Sequence, residues 1–265
     1  MSLALLRYTI RKNGLLLVIF YAVLAFYLAV MISMYNPEDM AEITGMLDLF
    51  PEDLMQAMGF SQQVSDLTGY LASWLYGLLM LAFPMVYCII LSQRMVVRKV
   101  DSGSMAYLLA TPNSRIRIIV TLGAYALLSV GLLFMLLFGT GVALAEAIHP
   151  GQLATKQFLH LNITTMLVNQ LVIMIGFFFS CLFNDASRAG GFSAGLPIAF
   201  LLLNMLGGVS EDYQWLKRLS PYGWFDPLEQ IQGEMPWTVN LVYASGAAVL
   251  FGAAIFVFKR RQLPI

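Results

Sequence analysis

Six long apolar stretches divide the chain, and polar segments lie between them. The stretches cover residues 15–35, 71–91, 118–145, 161–183, 192–209 and 239–258. A bilayer core about 30 Å thick requires roughly 20 apolar residues per helix, and each stretch meets or approaches that length. The pattern therefore predicts an all-α integral membrane protein whose six transmembrane helices form a single transmembrane domain.

The basic residues are concentrated in alternate segments between the stretches. Twelve of the fifteen Lys and Arg residues lie before the first stretch, between the second and third, between the fourth and fifth, or after the sixth. All of the fifteen acidic residues except Asp101 and Asp185 lie in the other segments. Because Lys and Arg are retained on the cytoplasmic side of membranes, we expect both termini in the cytoplasm, at a bacterial plasma membrane.

The composition of the chain excludes several other classes of protein. Hydrophobic residues make up 59% of the chain and charged residues 11%, which excludes a disordered chain and a nucleic-acid-binding domain and disfavours a soluble enzyme. The two cysteines, Cys88 and Cys181, lie inside apolar stretches. We expect them to pack as small hydrophobic residues.

The sequence carries no motif that would supply energy for transport. No Asp, Glu, Lys, Arg or His lies in the middle of an apolar stretch, and ion-coupled carriers usually hold ionisable groups at that depth. The chain has no Gly-x-x-x-x-Gly-Lys-Ser/Thr loop, the motif that cradles nucleotide phosphates. We therefore expect no catalytic residue, cofactor or metal in this chain, and energy from a partner.

The segment between the second and third stretches, residues 92–117, is basic at both ends and apolar in the middle. Asp101 or Ser102 is placed to cap a short helix, and Pro112 is expected to end it. Its apolar side chains are Met105, Tyr107, Leu108 and Leu109. The segment is either an interfacial loop that dips into lipid or a lever that docks into a groove on a soluble motor.

A second property of this segment is its residue order. From Asp101 to Arg115, an acid is followed by Gly-Ser, a Leu-Leu pair, a small residue, Thr-Pro and Ser-Arg. This order resembles the signature of ABC-2 type permeases, and residues 220–227 and 258–265 are similar to other parts of that family. The departures from the family pattern are Asp101 for Glu, Gln262 for Asp, and Thr121 or Leu122 for Lys.

The resemblance implies an architecture and a mechanism. It implies the ABC-2, or type V exporter-like, fold, with two permease subunits (a homodimer or a heterodimer) above two ABC ATP-binding subunits that hold ATP and Mg²⁺. The ATP-binding subunit would contact the amphipathic segment from Leu3 to Lys12 and, within residues 92–117 (the inner segment), the part from Asp101 to Arg115. The contact residues implied are Arg7, Arg11, Asp101, Gly103, Tyr107, Leu108, Leu109, Pro112 and Arg115. Basic residues of the N-terminal segment can also anchor anionic lipid headgroups.

Two features of the later stretches suggest helix–helix or substrate contacts. The fourth stretch carries a row of polar residues, which either line a substrate path or bond to another helix. The candidates for the path are Asn162, Thr165, Asn169 and Gln170. The fifth stretch contains Gly191 and Gly195 in a Gly-x-x-x-Gly spacing, which allows helices to approach closely.

The two longest outer segments also carry helical signals. In residues 36–68, apolar residues recur near helical spacing among seven acids, which predicts a helix on the outer membrane surface. Its apolar residues are Met46, Leu47, Phe50, Leu54 and Met58. Residues 210–238 combine prolines with aromatic residues, which are typical of headgroup level. We expect short helices there, before the sixth span.

The function that best fits these observations is the permease subunit of an ATP-driven exporter. Its substrate would be amphipathic or hydrophobic, such as a drug, an antimicrobial peptide or a lipid. The alternatives are a membrane anchor or sensor that recruits a soluble ATPase without transport and, less compatible with the uncharged spans, an ion-driven secondary transporter.

Overall fold

Within the part of the chain that the structure describes, six helices are long and apolar enough to cross a membrane, which confirms the all-α membrane fold. The computed structural model describes residues 2–36, 66–209, 211–233 and 235–261, and within these ranges it contains helices and turns without strands. In chain order the helices are α1 (Leu3–Met34), α2 (Leu67–Leu71), α3 (Leu79–Met95), α4 (Val97–Asp101), α5 (Ser104–Leu109), α6 (Arg115–Ile148), α7 (Thr155–Leu182), α8 (Ala186–Leu206), α9 (Gln214–Leu219), α10 (Pro227–Gln232) and α11 (Trp237–Arg260). The candidate spans are α1, α3 with α4, α6, α7, α8 and α11.

Helix α7 is the centre of the bundle, because it packs against α3, α6, α8 and α11. It also carries more buried polar side chains than any other spanning helix, including Asn162, Thr165, Asn169 and Ser180. Polar groups avoid lipid unless they are bonded inside the protein, so a helix with this composition occupies the interior. Helices α1, α8 and α11 lie at the periphery and expose large apolar side chains.

Helices α1 and α6 run parallel and in register. The backbone N–H of Ser2 donates to Thr121 Oγ1 at 2.9 Å, and Tyr21 and Thr140 share a hydroxyl–hydroxyl hydrogen bond of 2.7 Å. Both contacts join residues 119 positions apart in the chain. The two helices therefore keep one alignment over several turns.

The second predicted span is interrupted. One turn of π-helix (Ala72–Tyr76) follows α2, and the chain turns at Gly77 and Leu78 before α3 begins. The uninterrupted apolar run at 71–91 carries no sign of this break, because hydropathy does not distinguish one helical form from another. Helix α3 extends to Met95, four residues beyond the predicted end.

The five other spans all begin before the positions that hydropathy predicts, and α1 and α8 illustrate why. Helix α1 includes the N-terminal segment from Leu3 without a break. Helix α8 begins at Ala186 because the Asp185 carboxylate accepts the backbone N–H of Ser187 at 2.7 Å and so caps the helix. Since a helix can continue through polar residues beyond the lipid, an apolar run underestimates its length.

The termini of these helices form two opposite ends of the bundle. One of them, which we call the basic end, contains residues 2–12, 95–117, 182–188 and 258–261. Contacts at this end include the hydrogen bond from Arg115 Nη1 to the Arg261 carbonyl at 3.0 Å. At the opposite end, His149 Nε2 bonds to the Ile32 carbonyl at 3.0 Å. The segregation of basic residues along the sequence is thus a segregation in space.

The segment before α11 folds back against the bundle at the opposite end. It contains α9 and α10 with two short 3₁₀ turns, Glu211–Tyr213 and Pro221–Gly223. Tyr243 of α11 donates its hydroxyl to the Pro221 carbonyl at 2.5 Å, and Gln230 of α10 donates to Thr164 at 2.8 Å. The outer surface helix that the sequence predicts around residues 46–58 lies outside the described residues.

Candidate functional site

The inner segment at the basic end contains two short helices rather than one. Asp101 is the last residue of α4, and Gly103 immediately precedes α5 with a φ of 70°. The expectation that Asp101 or Ser102 caps α5 is wrong, because no side chain caps this helix. The left-handed backbone at Gly103 makes the reversal between the helices, and glycine adopts it without steric cost.

Helix α5 has one anchored side and one exposed side. Met105 is 2% exposed and packs into the core, whereas Tyr107 is 80% exposed. Leu108 and Leu109 are partly buried against the same core. The predicted apolar set is therefore divided: Met105 holds the helix in place, and Tyr107 is presented outward.

A turn closes the segment before α6. The Thr111 hydroxyl donates to the Leu108 carbonyl at 2.6 Å, and Pro112 is exposed. Ser114 caps α6 by accepting the backbone N–H of Arg117 at 3.2 Å. Arg115, the first residue of α6, is thereby held at the junction between the inner segment and a long spanning helix.

The first turns of α1 place their basic residues at the same end. Arg7 and Arg11 are exposed, while Thr9 and Asn13 on the other face are buried and donate to carbonyls one turn earlier. The contact between Ser2 and Thr121 holds this segment against α6. The N-terminal and inner segments thus lie at one end of the molecule, as the resemblance implies.

Positive charge at the basic end is largely unpaired within the described chain. In the ranges that the structure covers, one ion pair lies within 4.0 Å, between Arg188 and Asp185 at 3.8 Å. Lys12 and Lys99 are close enough for their ammonium groups to repel each other. A surface of this kind favours acidic protein groups or anionic lipids as partners.

Two basic residues at this end, Lys99 and Arg261, donate hydrogen bonds within the structure. From the sequence they were considered only as positive charges. Lys99 is 8% exposed and donates from Nζ to the Met95 carbonyl at 2.7 Å. Arg261 donates from Nη1 to the Cys181 carbonyl at 2.6 Å and from Nη2 to Asn184 Oδ1. Partial burial lowers the pKa of the Arg261 guanidinium from its ordinary value. In the sequence, the signal for such a role is a basic residue directly after an apolar run. That signal does not identify the group that accepts the hydrogen bond from the basic side chain.

The polar residues of α7 form a buried row. Asn162, Thr165 and Asn169 follow at spacings of three and four residues and are at most 3% exposed. The two asparagine amides donate to the carbonyls of Phe158 and Thr165, one turn earlier in the same helix. Their side-chain oxygens therefore point away from those carbonyls, and both are without hydrogen-bond partners in the structure.

Asn169, the last residue of this row, lies at the contact between α7 and α3. Cys88 of α3 donates its thiol to the Asn169 carbonyl at 3.4 Å. Gln170 is on a different side of α7 and donates to the Leu127 carbonyl of α6 at 3.4 Å. The four candidate path residues are thus divided: three lie in one buried row, and Gln170 bonds to another helix.

Comparison with known proteins gives one family match. The family model described as the C-terminal domain of the multidrug efflux system permease Rv1217c matches residues 8–259. A search of curated proteins finds no significant match. The family match includes all six candidate spans and the inner segment, apart from the first few residues of α1 and the last residue of α11.

Proposed function

The chain belongs to the family of the Rv1217c multidrug efflux permease C-terminal domain, and from that premise we propose that it is the membrane subunit of an ATP-binding-cassette exporter of the ABC-2 type. Its substrates are amphipathic or hydrophobic compounds such as drugs, antimicrobial peptides or lipids. ATP and Mg²⁺ bind to separate ATP-binding subunits, two for each pair of permeases. Both termini face the cytoplasm of a bacterial plasma membrane.

The observation that supports this proposal most directly is the position of α5, which is anchored on one side and exposed on the other. A short helix is fixed to the bundle by Met105 and exposes Tyr107 at the basic end. Such a helix can enter a groove on a soluble protein and transmit its movement, because its inner side is packed into the core. The exposed Arg7 and Arg11 extend the same surface.

The outward face of α8 is a suitable contact surface for a second permease subunit. Gly191 and Gly195 are exposed, and a methyl group added to either would contact nothing within 4 Å. Ile198 and Leu202 continue this face. Small residues at this spacing let two helices pack closely in lipid. We assign the dimer contact to this face, and cysteine cross-linking at Gly195 in a chain lacking Cys88 and Cys181 would test it.

The buried row on α7 is the part of the chain that we assign to the substrate path. The row is buried in the structure, so a substrate could reach Asn162, Thr165 and Asn169 only when α7 separates from the elements packed against it. Unpaired amide oxygens suit compounds that carry hydrogen-bond donors, such as amines and hydroxyl groups.

Reconstitution tests the proposal. The permease, co-purified with its ATP-binding protein, should accumulate a fluorescent amphipathic dye in inside-out vesicles only when ATP is supplied. ATPase recruitment without transport would support the anchor or sensor alternative. Transport by the permease alone, driven by an ion gradient, would contradict the proposal.

Two substitutions test the coupling surface. Tyr107→Asp, or the more severe replacement of Leu108 and Leu109 with Asp, should prevent assembly with the ATP-binding protein or abolish dye-stimulated ATP hydrolysis. Tyr213→Asp is the matched control, because Tyr213 is also exposed but lies at the opposite end. Unchanged assembly and ATP hydrolysis in both inner-segment variants would remove α5 from the coupling role.

A further inference from the structure

Arg261 joins three parts of the basic end that are distant in sequence. Its guanidinium donates to the Cys181 carbonyl at 2.6 Å and to Asn184 Oδ1. Its own carbonyl accepts a hydrogen bond from Arg115 Nη1 at 3.0 Å. One residue after α11 thus contacts the end of α7, the α7–α8 turn and the start of α6.

The contact with α7 is a helix cap. The last four carbonyls of a helix lack partners within it, and that end of the helix carries partial negative charge. Cys181 lies in the last turn of α7, so the Arg261 guanidinium satisfies one of these carbonyls with a cation. Because α7 is the central helix and carries the buried polar row, Arg261 holds the end of the element that has the most neighbours.

The contact with Arg115 connects this cap to the inner segment. Arg115 follows the α5 turn directly, and its side chain reaches the Arg261 backbone rather than an acid. The nearby carboxylate of Asp185 is engaged with Ser187 and Arg188. A displacement of the α5 turn therefore acts on Arg115, then on Arg261, and then on the end of α7.

We propose that Arg261 is a positioning residue that transmits displacement of the inner segment to α7 during transport. The inference rests on the proposed exporter function and deepens it by assigning a route from the motor surface to the substrate path. Both acceptors are neutral oxygen atoms, and the planar guanidinium of arginine donates to the two of them from separate nitrogens. Lysine offers a point charge and cannot bond to both acceptors with the same geometry.

The neighbouring arginine supplies a matched control. Arg260 is exposed, and its guanidinium carbon lies 4.2 Å from the centre of the Phe256 ring on the same helix. Arg260→Ala removes the same charge one position earlier without touching α6 or α7. Any difference between Arg260→Ala and Arg261→Ala therefore reports the network and not the net charge.

Hydrogen exchange on the permease alone, in lipid nanodiscs, tests the contacts. Arg261→Ala removes the guanidinium contacts but keeps the carbonyl that Arg115 bonds to. It should therefore accelerate amide exchange in residues 182–186 several-fold with little effect on residues 110–117, and Arg260→Ala should change neither. Arg115→Ala leaves the α7 cap in place, so it should accelerate exchange in residues 110–117 alone. Size-exclusion chromatography identifies any variant that fails to fold, and Arg115→Ala and Arg261→Lys provide milder perturbations.

Reconstitution with the ATP-binding protein tests the transmission. Arg261→Ala should retain assembly and ATP hydrolysis but transport several-fold less dye per ATP. Arg261→Lys should be intermediate, and Arg260→Ala should behave as wild type. Faster exchange with unchanged dye per ATP would show that the contacts are structural only and overturn the proposal, as would unchanged exchange in Arg261→Ala. A wild type without ATP-dependent transport would instead overturn the exporter function, and the route with it.

Discussion

At the scale of single residues, the interior of this bundle is organised by close approaches and by polar side chains that bond to backbone. Gly176 of α7 lies against Ser92 of α3, and Ser180 one turn later donates to the Ser92 carbonyl at 3.0 Å. Each contact joins the central helix to a neighbour without any charged group. The stability of the bundle therefore depends on small residues at positions where hydropathy alone would accept larger ones.

Gly176→Ala should destabilise the protein. The added methyl carbon would lie 2.3 Å from Ser92 Oγ and 2.9 Å from Ser92 Cβ, so α3 and α7 would have to separate. Overpacking of this kind costs about 1–3 kcal/mol, partly offset by the better helix propensity of alanine. Thermal unfolding in detergent should show a lower midpoint. Gly139→Ala, where nothing lies within 4 Å, is the control and should not lower it.

Tyr243→Phe should loosen the segment that precedes α11. The Tyr243 hydroxyl donates to the Pro221 carbonyl at 2.5 Å in a fully buried site. Removing the donor leaves the Pro221 carbonyl with the longer bond from the Trp224 backbone N–H at 3.4 Å, and the loss of one hydrogen bond costs about 0.5–1.5 kcal/mol. Proteolysis of residues 211–223 should become faster, while Tyr27→Phe on the exposed side of α1 should behave as wild type. Equal proteolysis rates for the two variants would contradict this role.

At the scale of elements, the sequence predicted the long helices well and their irregularities poorly. Apolar runs of about 20 residues identify spans because lipid requires them, and all six are present. The π-helical turn at Ala72–Tyr76 and the early start of α8 were missed. Both depend on hydrogen bonds to the backbone, such as the one that the Asp185 carboxylate accepts from the Ser187 N–H, and average hydropathy does not record these.

The candidate site was predicted to a smaller extent. The position of the inner segment between two spans and the short helix before Pro112 follow from local sequence. The division between buried Met105 and exposed Tyr107, the reversal at Gly103 and the acceptors of Arg261 do not, because each depends on residues that are distant in sequence or on a backbone conformation. Single positions could therefore be proposed, but their partners required coordinates.

Gly103 should be required for the placement of α5. Its φ of 70° is one that β-branched residues rarely adopt, so Gly103→Val should displace the helix and weaken assembly with the ATP-binding protein. Asparagine tolerates this conformation, and Gly103→Asn should retain most of the assembly. Pull-down of the ATP-binding protein by each variant measures the effect, and equal capture by both variants would show that the reversal does not position α5.

At the scale of the whole molecule, the main asymmetry is that of charge between the two ends of the bundle. Basic residues gather where the inner segment, the first turns of α1 and the end of α11 meet. The orientation that we propose places this end in the cytoplasm. The same asymmetry would draw the permease toward acidic groups on a soluble partner and toward anionic headgroups.

Thiol accessibility should report this orientation. In a chain lacking Cys88 and Cys181, a membrane-impermeant thiol reagent applied to intact cells should label Gln152→Cys but not Ala110→Cys. Both positions are exposed, so the comparison depends on the side of the membrane alone. Permeabilisation should make Ala110→Cys reactive. The reverse pattern in intact cells would invert the proposed topology.

The parallel pair formed by α1 and α6 has a mechanical consequence. Their lengths of 32 and 34 residues correspond to about 48 and 51 Å at 1.5 Å per residue, well beyond a hydrocarbon thickness of about 30 Å. Unless the pair tilts strongly, roughly three helical turns extend past the lipid. Two aligned helices that extend in this way resist bending better than one. If they project on the cytoplasmic side, the pair would act as a stiff strut that sets the distance between the bilayer and the ATP-binding subunit that we propose.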